Sequence, residues 1–181
     1  MAEMVATRQP VTFEPAEWLE VGPVLARFVF RGNDDARGAA TLAFGVTLSS
    51  IACRAERTSS RAALWLGPDE HLLLGPAQQG ERIAQDLAAA LSGRAHSLVD
   101  VSHRQVALQV QGARAEWLLE AQCPLPLSLR DFPVGMCTRT VYGKSEILLW
   151  RAQEQVFHLE VWRSFSQYVV ELLREVAREE R

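Results

Sequence analysis

The sequence predicts an α+β fold: mostly antiparallel sheets with helices packed on their faces, built as two pseudo-equivalent halves. Three observations carry this. Apolar runs bounded by Gly, Pro and Asp turns recur along the chain, as in Ala63-Leu64-Trp65-Leu66 and His71-Leu72-Leu73-Leu74 around Gly67-Pro68-Asp69-Glu70. Helix-spaced stripes follow the strand-like runs in each half. Val29-Phe30-Arg31-Gly32 and Gln109-Val110-Gln111-Gly112 both lead into helical segments, and the two glycines stand 80 residues apart.

Residues 1–24 carry Pro10, Pro15 and Pro23 and read as an arm with a short helical turn around Trp18. Residues 25–181 read as one domain, with halves of about 25–95 and 96–181. Arg27 to Arg31 is strand-like and stops at Gly32-Asn33, and Asp34 is placed to cap a short helix ending near Gly45. Residues 52–61 are polar and read as a loop. After the hairpin, Ile83, Leu87 and Leu91 mark a helix that Ser92-Gly93 closes. Leu98 to Ser102 and Val106 to Val110 alternate as strands. Trp117, Leu118 and Ala121 face inward on the next helix, before the Pro-rich stretch from Cys123 to Gly135.

Three further strands, Thr138 to Tyr142, Ile147 to Trp150 and Phe157 to Val161, are joined by turns at Gly143-Lys144 and Gln153-Glu154-Gln155. The last helix opens on a Ser164/Gln167 capping box. It then buries Phe165, Tyr168, Val169, Leu172, Leu173 and Val176, with Arg174, Arg178 and Arg181 toward its dipole-negative end.

Composition excludes several function classes. The chain has 181 residues, 48% hydrophobic and 23% charged, with 19 basic against 22 acidic side chains, for a net charge of −3. Nucleic-acid binding needs a concentrated basic footprint, which this balance does not supply. No apolar run has the roughly 20 residues of a bilayer span, and the N-terminus lacks an export signal. Three cysteines, Cys53, Cys123 and Cys137, odd in number and not closely paired in sequence, suit a reducing compartment. The expected setting is cytoplasmic, with no membrane and no nucleic-acid partner.

Familiar catalytic and binding motifs fail on inspection. Gly143-Lys144-Ser145 resembles the end of a phosphate loop, but Thr138 stands where its first glycine must be and a strand follows, so it reads as a hairpin turn. His71, His96, His103 and His158 are scattered without metal-ligand spacing. Ser102 and His103 are adjacent, so on a strand they face opposite sides. The aromatic residues are more informative. Trp65, Trp150 and Trp162 fall in or beside strands, and Arg151 and Arg163 follow two of them. Core packing accounts for most such residues, yet Trp and Arg are also enriched in binding hot spots. Trp65, Trp150, Arg151, Trp162 and Arg163 are the candidate subunit-interface residues. No catalytic, cofactor-binding or metal-binding residue is assigned.

An ordered series of segments resembles the gamma subunit of heterotetrameric sarcosine oxidase. It comprises Ala63 to Glu70, Val99-Asp100-Val101-Ser102-His103-Arg104, Leu108-x-Val110-x-Gly112, Trp117-Leu118, and Cys123 to Leu127. It continues with Phe132-Pro133-x-Gly135-x-Cys137-x-Arg139-Thr140, Glu146 to Arg151, and Phe157-x-Leu159-x-Val161-x-Arg163-Ser164-Phe165-x-x-Tyr168. The resemblance spans roughly residues 25–178 and implies a non-catalytic structural subunit of an oxidoreductase complex. That complex demethylates sarcosine oxidatively, sends electrons to oxygen and delivers the one-carbon unit to tetrahydrofolate. The alpha, beta and delta partners would carry FAD, FMN, NAD, zinc and tetrahydrofolate, and this chain none.

The resemblance also implies kinship with the folate-binding domain of aminomethyltransferases, through Asp100-Val101-Ser102-His103. Their catalytic aspartate falls at Ser145 and the next one at Glu146, while their pocket asparagine falls at Trp162. A hydroxyl cannot replace an ionised carboxylate. The expectation is therefore a folate cleft plugged by the Trp162 indole and stripped of its anionic anchor. The alternatives are a free folate-binding or one-carbon-transfer protein, the gamma subunit of a related N-methyl amino acid dehydrogenase such as methylglutamate dehydrogenase, and an unrelated α+β adaptor.

Overall fold

The computed structural model describes residues 13–14 and 16–179, so Pro10, Pro15 and Arg181 lie outside the described residues. The elements run β1 (Leu19–Val21), β2 (Leu25–Gly32), α1 (Asp34–Phe44), β3 (Ala55–Arg57), β4 (Ala62–Gly67), β5 (Glu70–Pro76) and α2 (Gly80–Ala90). They continue with β6 (His96–Asp100), β7 (Gln105–Gln111), α3 (Ala115–Glu120), β8 (Cys137–Tyr142), β9 (Ser145–Gln153), β10 (Val156–Trp162) and α4 (Ser166–Arg178).

The strands form two five-stranded antiparallel sheets, ordered β3-β4-β5-β2-β6 and β8-β9-β10-β7-β1. The correspondence is complete, strand for strand, and it includes an exchange. β1 precedes β2 in the chain but pairs with β7, and β6 precedes β7 but pairs with β2. Each half thus lends its leading strand to the other half's sheet. Part of the N-terminal arm is therefore a strand, with a turn and no helix at Trp18, and the break near residue 95 does not divide the sheets.

Strand alternation sorts the side chains into three cores. Phe28, Phe30, Ala63 and Leu73 face α1 and α2, meeting Phe44, Ile83 and Leu87. Leu108, Ile147, Leu149, Phe157 and Leu159 face α3 and α4, meeting Leu118, Leu119, Val169 and Leu173. Leu64, Leu72 and Leu74 point the other way and meet Cys137, Leu148 and Trp150, closing the two sheets on each other. The layers run helix, sheet, sheet, helix. Burial on both sides explains why β5 carries the unbroken Leu72-Leu73-Leu74.

Several local expectations are corrected. Asn33 is the α1 N-cap, its side chain accepting from the Ala36 amide at 3.0 Å, so Asp34 is the first helical residue. Gly45 ends that helix in the left-handed region at φ +73°, where a glycine bears no Cβ strain. The Ser164/Gln167 box does not form. Arg163–Phe165 make a 3-10 turn, α4 starts at Ser166, and the Ser166 hydroxyl donates to the Arg163 carbonyl. Phe165 and Tyr168 consequently lie outside the stripe, and Val170 is buried in it. On α3, Ala115, Leu118 and Leu119 are buried while Ala121 is exposed. The short strand β3 lies inside the segment read as a loop. Gly143 does turn the β8–β9 hairpin, at φ +58°, against the Tyr168 hydroxyl.

Candidate functional site

Two polar constructions lie between the sheets. The first is wholly internal. Arg27 on β2 donates through Nε to Glu160 Oε2 at 2.6 Å and through Nη2 to Oε1 at 3.2 Å, and His158 Nε2 meets Glu160 Oε1 at 2.8 Å. Arg27 and Glu160 are 2% and 0% exposed, so this buried pair bolts one sheet to the other. Burial alone would raise the Glu160 pKa, but the hydrogen bond from His158 and the Arg27 charge more than offset it, holding the carboxyl below its ordinary value. The loop after β6 is tied to the same place. Ser102 Oγ accepts from the Arg27 amide at 2.9 Å, and the Ser102 amide donates to Asp100 Oδ1 at 2.8 Å. The Asp100-Val101-Ser102-His103 segment is thus a turn that pins β2.

The second construction opens to solvent. A cleft of about 220 Å³ lies at the mouth between the sheets. Leu66 and Leu72 line it from one sheet, and the Ile147-Leu148 stretch of β9 lines it from the other. Arg104 and Gln105 enter it where the Ser102-His103 turn delivers the chain into β7, with Arg139 from β8, Glu146 from β9 and Trp162 from the end of β10. The Arg104 guanidinium lies 5.1 Å from the Trp162 ring centroid. Arg139 is engaged by Glu70 at 2.5 Å.

Of the five interface candidates, the structure brings Trp162 and Arg163 together beside this cleft. Trp162 is 41% exposed, and the Arg163 amide donates to the Arg104 carbonyl at 3.0 Å. Trp65 is half-buried on β4. Trp150 and Arg151 are corrections: they are 7% and 1% exposed, because β9 is a central strand covered by a sheet on one side and helices on the other. Trp150 packs on His158 with ring centroids 5.6 Å apart, and Arg151 spends its guanidinium on Glu116, Leu127 and Glu154.

The positions of the expected plugged cleft fall as follows in the fold. The Trp162 indole walls the cleft without filling it, and Glu146 lines it with a carboxylate. Ser145 is 1% exposed and is not among the lining residues. No local pattern marks Arg104, Gln105 and Arg139 for this cleft, since their convergence depends on β7 and β8, which are distant in the chain. Among the thiols, Cys137 is buried and its pKa is pushed up to about 12, chiefly by burial, which keeps it protonated and inert.

The model of the sarcosine oxidase, gamma subunit family matches residues 32–179. This chain belongs to that family. The sarcosine oxidase subunit gamma of Corynebacterium sp. (strain P-1) is 35% identical over 112 residues, covering 62% of this chain and 54% of that protein. The subunit gamma of Arthrobacter sp. is 34% identical over 126 residues, covering 70% and 60%. The chain therefore spans between 54% and 60% of the length of these two family members.

One chain of the heterotetrameric sarcosine oxidase of Corynebacterium sp. U-96 superposes with a TM-score of 0.83 at 28% identity, covering 89% of this chain and 83% of that one. The glycine-cleavage aminomethyltransferase T of Bartonella henselae shares the fold at TM-score 0.65 and 13% identity, over 86% of this chain and 44% of that one. The α+β fold anticipated from sequence is thus the fold of this family, and no helix among the described residues is long and apolar enough to cross a membrane.

Proposed function

We propose that this chain is the non-catalytic gamma subunit of a sarcosine-oxidase-type assembly, placing alpha, beta and delta subunits that carry FAD, FMN, NAD, zinc and tetrahydrofolate. The observation carrying this reading is the superposition on a chain of a heterotetrameric sarcosine oxidase over 89% of the present chain. The chemistry would then be the partners': oxidation of an N-methyl amine, with electrons passed to oxygen and the one-carbon unit to tetrahydrofolate. The contribution of this chain is surface. Trp162, Phe165 and Tyr168 are exposed where β10 turns into α4, and with Arg163 and Trp65 they form the proposed contact region. Buried aromatic and arginine anchors dominate binding energy at such contacts.

The test is co-expression with candidate alpha, beta and delta chains from the same genome. One assembly should co-purify, with flavin on the large chains and none on this one. Trp162→Ala combined with Phe165→Ala should weaken the association without lowering the melting temperature of this chain. A stable monomer indifferent to those partners would overturn the reading. The open cleft gives the free folate-binding alternative a specific footing. Titration of the isolated chain with tetrahydrofolate should remain silent, and micromolar binding would favour that alternative.

A further inference from the structure

All three aromatic side chains exposed among the described residues, Trp162, Phe165 and Tyr168, stand where β10 turns into α4, at 41%, 46% and 36% exposure. Two cations bracket them. On one side the Arg104 guanidinium lies 5.1 Å from the Trp162 ring centroid, so the ring helps to fix where the charge is displayed. On the other side Lys144 sits in the β8–β9 turn, and its backbone amide donates to the Tyr168 hydroxyl at 3.1 Å, which ties the turn to α4. Neither cation forms an ion pair among the described residues, and the Lys144 side chain is exposed. The nearby Arg139 is already engaged by Glu70, while the exposed Glu146 supplies one carboxylate between the two cations. The chain as a whole carries a net charge of −3, so this stretch departs from the sign of its own protein.

We propose that this stretch docks an acidic segment of a partner subunit. An apolar side chain of that segment rests on the three rings, and carboxylates on either side of it reach Arg104 and Lys144. Aromatic and arginine side chains are the anchors that protein contacts bury, and complementary charge fixes which segment is accepted and in what register. An anionic bilayer would also attract cations beside aromatic rings. Each ring is more than half buried in this chain, however, so none can sink past the headgroups, and Glu146 would be repelled by an anionic surface. The inference rests on the assembly proposed above and names the chemistry of the surface that meets it.

Lys144 is the one lysine in the sequence, which makes it a unique reporter. A water-soluble carbodiimide activates a carboxylate, and an amine already paired with it displaces the urea to leave an amide with no spacer. Treating the co-purified assembly in this way should link Lys144 to an Asp or Glu of a partner chain, located by peptide mass spectrometry. Lys144→Arg should abolish the link and keep the association, because a guanidinium holds the charge but does not couple. Lys144→Glu should weaken the association by about tenfold or more, since it sets like charges against each other, while the melting temperature of this chain stays unchanged. An assembly that forms but yields no link from Lys144, or that tolerates Lys144→Glu, overturns this inference alone. Failure of any assembly to form overturns it together with the subunit reading. A link to a second copy of this chain overturns it as well. So does sedimentation of the isolated chain with phosphatidylserine/phosphatidylcholine vesicles that Lys144→Glu abolishes, since a membrane would then be the occupant.

Discussion

Glu160→Leu is expected to lower the unfolding free energy by about 3–5 kcal/mol, because it leaves the Arg27 guanidinium buried and charged without its partner. Arg27 is 2% exposed, and its remaining side-chain bond is to the Leu25 carbonyl at 3.1 Å. The loss is a large fraction of the roughly 5–15 kcal/mol of a typical domain, so the variant should melt far earlier or fail to accumulate. The double variant Arg27→Met/Glu160→Leu should be much less damaged than Glu160→Leu alone, since an apolar pair of similar volume removes both desolvation penalties. Urea denaturation of the three proteins checks this. If the double variant were no more stable than Glu160→Leu, the orphaned Arg27 charge would not be the cause of the loss.

The same pair sets an acid limit. The Glu160 pKa is lower in the folded chain than its ordinary value of 4.5, so the folded state binds that proton less readily. Its contribution is fully present above 4.5 and is lost as pH falls through the folded value. His71 adds an earlier limb. Burial pushes its pKa below the ordinary 6.5, overcoming the bond to the Ser49 carbonyl, so the unfolded chain takes up a proton first. Stability should therefore begin to fall near pH 6.5 and fall again below 4.5. His71→Gln should remove the upper limb and keep the lower one.

Much of this fold is written locally. The Pro68-Asp69 hairpin, the Ile83/Leu87/Leu91 stripe and the three C-terminal strands follow from turn chemistry and periodicity acting over a few residues. What is not local is illegible. Alternation in β10 separates Phe157, Leu159 and Val161 from His158, Glu160 and Trp162, but it does not say whether the polar side meets water or a second sheet. Here it meets a sheet, and a carboxylate that looks like surface is fully buried, at 0% exposed. The exchange of β1 and β6 escapes for the same reason, because three-residue and five-residue strands carry no signal for the partner they join. The cleft shares this limit. Position 146 was legible as an acid, but its meeting with Arg104 and Gln105 is a property of the closed sandwich.

Arg151 separates core from contact surface most sharply. A Trp-Arg pair at a strand end looks like a binding edge, yet β9 runs on to Gln153 and takes Arg151 inside. There its Nη1 donates to the Glu154 carbonyl at 2.8 Å, and its Nη2 serves Glu116 at 2.9 Å and the Leu127 carbonyl. The guanidinium lies 4.4 Å from the Phe157 ring centroid. Between α3 and β8 the chain runs through residues 121–136 with no helix or strand, held by buried Leu127 and Phe132 and by this arginine. Arg151→Met keeps the apolar stem but strips two carbonyls of their donor, and it is expected to cost about 3 kcal/mol. Arg151→Lys should recover less than half of that, because one ammonium cannot reach acceptors set out for a planar fork. Hydrogen exchange should show the loss concentrated in residues 121–136, while Trp162→Ala leaves exchange there unchanged. An Arg151→Met protein with an undisturbed melting temperature and a weakened assembly would return this residue to the interface and remove it from the core.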